Sequence, residues 1–347
     1  MLDQMPVPAA GCPKRMIFGP CGGVRSDGSC ELDAALTCPW CDDRDPLAVR
    51  PWPSPTATGP AEAPAILTDL SVPPYDLAAM RDILELLAPV SDAVLVGEHQ
   101  NRPDFPPTMV AAEILAAGTG PWITLTCRDR NRVVLEQELA GLAALGIDGV
   151  LCVTGDGRGQ DVRPEVTQVF DLDSTRLTHL AATTGLTTAV AVAPAAPPAE
   201  LRPAALAEKQ RAGASLAVAN HVGSPAALSS FLDRARAAGA DLPVIAAVAV
   251  YTDERSAAVL AAFPGLALDP DAVAAVLAAP DPREAGIEAA VAEAEALLAV
   301  PGVAGVNLSG LASADGWRAG AEVKAEVAAR VAERTRRDAG LAPGRRG

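Results

Sequence analysis

LTCRDRNRVVLEQELAGLAALGIDGVLCVTGD, residues 125–156, reads as a strand, a helix and a second strand. The first strand is the apolar, β-branched run 122–127, closed by the charged turn 128–132. Leu135, Leu139, Leu142 and Leu145 then recur at spacings of three and four, which puts them on one helix face, with Glu136 and Glu138 off it. Asp129 or Asn131 can cap the start of this helix and Gly146 can end it. The apolar run 147–154 follows. A strand, crossover helix and strand of this length form a parallel βαβ unit. Chemistry in such units collects at the C-terminal strand ends, here Thr126-Cys127-Arg128 and Thr154-Gly155-Asp156.

The same alternation runs outward in both directions. Strand-like runs fall at 65–70, 93–97, 122–127, 147–154, 186–193, 214–219, 242–250 and 303–308. Helical patterns lie between them, for example at 77–87, 175–183, 201–212, 226–238 and 287–299, and 272–300 holds two helices broken at Pro280-Asp281-Pro282. Eight strands with intervening helices predict an α/β fold, a (β/α)8 TIM barrel over 65–341, with a flexible tail at 342–347. A doubly wound nucleotide fold is disfavoured, because no strand is followed by GxGxxG or GxxxxGK[ST].

The N-terminus differs. Five of the seven cysteines, Cys12, Cys21, Cys30, Cys38 and Cys41, fall within residues 1–45, among the turn-forming Gly19, Gly22, Gly23 and Gly28. Cys38 and Cys41 form a CxxC pair. A glycine-rich segment this short has no core of its own, so the reading is a small Cys-rich metal-binding module. Zinc is the first choice and an iron–sulfur cluster the rival, since thiolates serve both. Residues 46–64, with prolines every few positions, read as an extended linker.

The net charge of −15 argues against nucleic acid, whose phosphates want a basic face. No run of eighteen apolar residues predicts a membrane span, and the N-terminus lacks the pattern of a secretory signal, so a cytoplasmic setting is expected. Cys127 and Cys152, inside strands, read as core. His99, His179 and His221 are too scattered for a histidine metal site, and His221, at a strand end, is the best proton carrier among them.

The central motif LTCRDRNR with TGD resembles the methylenetetrahydrofolate reductase family. DAVLVGEHQNRP upstream, and VFDLDSTRL, EKQRAGA and GVAGVNLSG downstream, extend the resemblance over most of 65–310. CPKRMIFGPCGGVRSDGSCE with the following CPW resembles the small cysteine-rich domain, named for the C terminus of these reductases, that accompanies some members. The resemblance implies a barrel that reduces 5,10-methylenetetrahydrofolate to 5-methyltetrahydrofolate. Hydride comes from NAD(P)H and passes through FAD, or directly. It also implies a tetrahydrofolate substrate and a homo-oligomer.

By position, Asp156 matches the family's Asp at the end of the fourth strand, where a carboxylate can bond a pterin amino group. Asp69, ahead of Pro73-Pro74, stands for the family's acidic residue on the first strand. It is shorter by one methylene, and a misplacement of about 1 Å can lower a rate about 100-fold. Glu98 is a possible substitute. Asn220 takes the place of a pterin-holding Gln, and Lys209 matches a Lys near the cofactor's phosphates. Thr124, Thr126, Arg128, Thr154 and Gly155 complete the implied cofactor side, and Arg128, Arg130 and Arg132 could hold phosphates or a glutamyl tail. The flavin-contacting residues after the fifth strand have become Ala193-Pro194-Ala195-Ala196, and the eighth strand ends in Asn307-Leu308-Ser309-Gly310 without the Arg some members use on folate. Two alternatives follow from these departures. One is a barrel that binds folate or a partner without turnover. The other is a subunit of a corrinoid- or methyltransferase-linked one-carbon complex.

Overall fold

The structure is a computed structural model that describes residues 11–41, 63–99, 102–158, 162–263, 266–310 and 313–338. Eight parallel strands close a barrel in sequence order: β1 (Ile66–Leu70), β2 (Ala93–Val96), β3 (Gly120–Thr126), β4 (Gly149–Val153), β5 (Thr188–Val192), β6 (Leu216–Ala219), β7 (Val244–Ala249) and β8 (Val303–Ser309). The helices α1 (Leu77–Leu87), α2 (Pro107–Ala116), α3 (Arg132–Leu145), α4 (Ser174–Ala182), α5 (Arg202–Arg211) and α6 (Pro225–Ala237) each follow a strand. Three helices, α7 (Glu254–Ala261), α8 (Pro270–Leu277) and α9 (Pro282–Leu298), lie between β7 and β8, and α10 (Trp317–Asp338) closes the ring against α1, α9 and β1. This is the TIM barrel that the alternation predicts. The linker (all but its last two residues) and the tail lie outside the described residues.

Side chains two apart on a strand share a face, and this sets what fills the barrel. Leu67, Leu95, Trp122, Leu151, Leu216 and Ile245 pack together as an apolar plug. Trp122 sits opposite Gly149, where a Cβ would come within 2.9 Å of its ring, so the large side chain needs that glycine. Two residues further along the same inward rows stand polar groups, Asp69 after Leu67 and Thr124 after Trp122. The floor is apolar and the C-terminal mouth is polar.

In α3 the Asn131 side chain accepts from the Val134 amide, and Gly146 ends the helix at φ 71°. Leu135, Leu139 and Leu142 are buried, but Leu145 is 39% exposed, because the helix has turned it off the barrel by its last residue. Asp129 does not cap; it meets Arg128 and Arg158.

Residues 11–41 form a turn-rich module without helix or strand, carrying one bridge between Ser29 and Thr37 and a small core of Met16, Val24, Cys38 and Trp40. The module rests on the C-terminal mouth. The Lys14 ammonium donates to the Gly155 carbonyl (2.7 Å), the Ile17 amide donates to the Asp173 carboxylate (3.2 Å), and Leu32 fills the space that a Cβ on Gly157 would take.

Candidate active site

A cavity of about 600 Å³ opens at the mouth. Barrel residues and the module segment from Lys14 to Gly22 line it together. Asp69, Asp156, Asn220, Glu98, Thr124, Thr126, Arg128, Thr154, Gly155 and Lys209 all reach this one cavity, so the barrel converges residues that lie between positions 69 and 220 of the sequence.

On the β8–β1 side, Asp69 accepts from the Asn307 amide nitrogen (3.0 Å). Burial pushes the Asp69 carboxyl above its ordinary value, against the charge of Lys324 and hydrogen bonds from Asn307 and Ser309. Lys324, on α10, donates to the carbonyls of Asp69 and Gly310, the latter at 3.0 Å, and burial lowers its pKa to about 8. Asn307 also donates to the Ser309 hydroxyl (2.9 Å). Its Oδ1 is buried with no hydrogen-bond partner among the described residues.

Asp156 is half-buried at the end of β4. Burial raises its pKa, opposed by Lys14 and Arg128 and assisted by Glu31. Glu98 is a bracket between strand and loop: its oxygens accept from the Thr126 amide and hydroxyl (both 2.9 Å) and from Arg130 (2.7 Å). Asn220 lines the cavity beside His221. Both nitrogens of His221 are paired, with the Ala267 carbonyl and the Glu293 carboxylate. Burial works against its charge, but Glu293 prevails and holds the imidazole above its usual pKa.

The donors expected for a cofactor are engaged inside the protein. Arg128 donates to Asp129 (2.8 Å) and to the carbonyls of His99 (2.9 Å) and Asp156 (3.2 Å). Thr126 is held by Glu98. The Thr154 hydroxyl meets the Met16 sulfur (3.8 Å) and accepts from the Ser174 amide (3.1 Å). Lys209 donates to the Ala191 carbonyl (2.6 Å), and desolvation lowers its pKa to about 8. Buried Arg202 donates to the carbonyls of Ala196 (2.9 Å), Pro197 and the module's Pro20 (2.9 Å). The module thus lies over the β4–β5 side of the mouth, and the residues present do not fit a flavin placed there.

In the module, Lys14 and Glu31 form a buried ion pair. Cys12, Cys21 and Cys41 bear on the thiol of Cys38, whose pKa burial pushes up to about 12. The Cys30 amide bonds the Leu36 carbonyl (2.8 Å) in the hairpin across from Thr37. Among the described residues no group of three His, Cys, Asp or Glu side chains is arranged to hold a metal ion. Cys127 and Cys152 are buried in the core, as their strand positions imply.

Lys324, Arg202, Lys14 and Asn307 are the residues that sequence reasoning missed. For Lys324 a signal exists, since a lysine stands on the same apolar stripe as Val323, Val327 and Val331. Among the described residues no helix is long and apolar enough to cross a membrane.

Residues 107–316 match the family described as Methylenetetrahydrofolate reductase, more than half of the chain. The chain belongs to the methylenetetrahydrofolate reductase family. Residues 4–48 match the family described as Methylene-tetrahydrofolate reductase C terminal, here placed ahead of the barrel. No curated protein matches the chain. Among solved structures it is similar to an uncharacterized protein from Clostridium thermocellum that binds two copies of 5-methyl-5,6,7,8-tetrahydrofolic acid. The TM-score is 0.58 at 12% identity, over 79% of this chain and 96% of that one. Tryptophan synthase from M. tuberculosis aligns with a TM-score of 0.43 at 17% identity, over 77% of this chain and 92% of that one. At these identities the likeness is one of fold.

Proposed function

We propose that this reductase-family barrel converts 5,10-methylenetetrahydrofolate to 5-methyltetrahydrofolate with hydride taken directly from NAD(P)H. The observation that carries the reading is Asp69, an acid facing a cavity large enough for a pterin, with its carboxyl held above the ordinary carboxylate pKa by burial. Asp69 gives its proton to N10 as the bond from N10 to the methylene carbon breaks. The resulting N5 iminium accepts hydride from C4 of the nicotinamide and becomes the N5 methyl group, leaving NAD(P)+. One proton and one hydride enter, so the reaction balances.

Asn307 supports the acid role. With Asp69 ionised, Asn307 donates to it and leaves Oδ1 unpaired in the interior. An amide turned end for end exchanges its donor and acceptor. With Asp69 protonated, that turn lets Oδ1 accept the carboxyl proton. Asp156, at the opposite rim, is placed to accept from a pterin amino group, and Asn220 to bond the ring edge. No step passes through a flavin, because Arg128, Thr126 and Lys209 are engaged within the barrel and Thr154 and Arg202 meet the module.

A second reading has a specific basis. The Clostridium thermocellum barrel binds 5-methyltetrahydrofolate, so a binding protein without turnover is the competing outcome. Anaerobic protein, as purified and without added flavin, is mixed with NADH or NADPH and methylenetetrahydrofolate. Oxidation of the nicotinamide at 340 nm with stoichiometric 5-methyltetrahydrofolate supports the reductase. Tight folate binding with no oxidation, even with FAD added, overturns it in favour of the binding protein.

A further inference from the structure

Asp156 stands between two glycines, Gly155 and Gly157. Gly155 takes φ 91°, and a Cβ there would come within 2.9 Å of the Thr126 side chain. Glycine reaches this backbone region without strain and leaves it as readily, so the chain by itself does not fix where the Asp156 carboxylate points. Contacts from other segments hold the turn. Arg128, just past β3, donates to the Asp156 carbonyl (3.2 Å). The N-terminal module holds both glycines: Lys14 donates to the Gly155 carbonyl (2.7 Å), and Leu32 packs where a Cβ on Gly157 would sit. Lys14 is itself firmly seated. It is 2% exposed, it pairs with Glu31, and its ammonium lies 5.6 Å from the centre of the buried Phe170 ring. Lys14, Gly155 and Asp156 all line the main cavity.

We propose that Lys14 is a positioning residue of the folate site: from the module it fixes the Gly155-Asp156 turn and brings a positive charge to bear on the Asp156 carboxylate, so that pterin recognition by the barrel depends on the docked module. The inference rests on the folate reading above. A carboxyl group accepts from a pterin amino group with both oxygens only when ionised, and burial opposes ionisation of Asp156. Of the charges that face it, Lys14 acts most strongly and favours the ionised form. Glu31 comes next and disfavours it, and Arg128 is third and favours it. Burial works against the Lys14 charge too, but Cys21, Glu31 and Asp156 outweigh burial and hold the ammonium above its ordinary pKa. Its charge is therefore constant from acid to neutral pH, while Asp156 titrates. Lys14 and Glu31 share one ion pair and yet push Asp156 in opposite directions, which a pair that only seats the module does not do.

The experiment uses the full-length protein and calorimetric binding of 5-methyltetrahydrofolate from neutral to acid pH. The native chain is compared with Lys14→Met, Glu31→Gln and Gly157→Val, and circular dichroism with the melting midpoint checks that each folds. The ligand's own titration is common to all four, so only differences between chains count. In the native chain affinity should fall as pH drops through the pKa of Asp156, because the carboxylate that holds the amino group is lost. Lys14→Met removes a charge that favours ionisation, so this acid limb should move to higher pH. Its affinity at neutral pH should be about tenfold weaker, a usual size of coupling between sites. Glu31→Gln breaks the same ion pair but removes a charge that opposes ionisation, so its limb should move to lower pH. Gly157→Val loosens the seating and keeps both charges, so its limb should stay with the native one. A Lys14→Met limb that does not move to higher pH overturns the proposal. A Glu31→Gln limb that stays or moves to higher pH also overturns it, even if Lys14→Met does not fold, and leaves Lys14 a seating contact. A native chain that fails to bind 5-methyltetrahydrofolate at any pH overturns the folate reading of the mouth itself.

Discussion

The two sides of the barrel mouth use the same kinds of residue for opposite ends. On the β8–β1 side, Asp69 and Asn307, backed by buried Lys324, face open cavity and retain an acceptor with no partner among the described residues. On the β4–β5 side, Thr154, Arg202 and the Gly155 carbonyl bond the N-terminal module, and Lys209 bonds the Ala191 carbonyl. One side keeps capacity for a ligand, while the other has given it to docking. A polar residue at a strand end therefore identifies chemistry only where its hydrogen-bonding capacity is still free.

The strongest way to break this contrast is to mutate both sides and compare turnover. Asp69→Asn should lower kcat by about 10²- to 10⁴-fold, the range for loss of a general acid, with little change in folate affinity. Lys209→Met should leave kcat in place and lower the melting midpoint, since it removes the ammonium's hydrogen bond to the Ala191 carbonyl, worth about 1 kcal/mol. Equal losses of turnover in the two variants would end the distinction.

Next comes the docking side itself. Lys14→Met leaves Glu31 buried without its ion partner, which should cost about 3 kcal/mol. Thermal unfolding and limited proteolysis read the loss, and a Lys14→Met/Glu31→Gln double variant should recover part of it. No recovery would mean the pair is not what seats the module. Gly157→Val places side-chain atoms where Leu32 sits, and overpacking of this kind costs about 1–3 kcal/mol. Proteolysis should then release the module sooner, while the folate affinity of the barrel changes less.

The smallest effect sharpens the acid side. Turnover should fall as pH rises through the pKa of Asp69, which lies above the ordinary carboxylate value, because only the protonated form can open the ring. The Asn307 hydrogen bond favours the ionised form, so Asn307→Leu should move that alkaline limb to higher pH. A limb that stays in place would uncouple Asn307 from Asp69.

Much of the fold was legible because periodicity alone specifies it. The run 77–87 coincides with α1, and the break at Pro280-Asp281-Pro282 separates α8 from α9, with Asp281 accepting from the Glu284 amide. Leu145 misled because a stripe of leucines continues past the point where the helix leaves the barrel. The strand-end residues were legible as a set, since parallel strands deliver their C-terminal ends to one face. Their individual roles were not. Glu98 reads as a spare acid in sequence, yet Thr126 and Arg130 fix it as a bracket. Arg128 and Lys209 read as phosphate ligands, yet the carbonyls of His99 and Ala191 accept their hydrogen bonds.

The sequence by itself determined the number and order of strands, the polar C-terminal mouth and the family, because these follow from the spacing of apolar residues and from short contiguous motifs. Only the tertiary structure decided that residues 14–22 share the cavity with the barrel, that Lys324 supports Asp69 from α10, and that five arginines gather beside Glu98. Each of these depends on which donors meet which acceptors across more than twenty residues of chain, and such pairing is set by packing in space, which leaves no periodic mark in sequence.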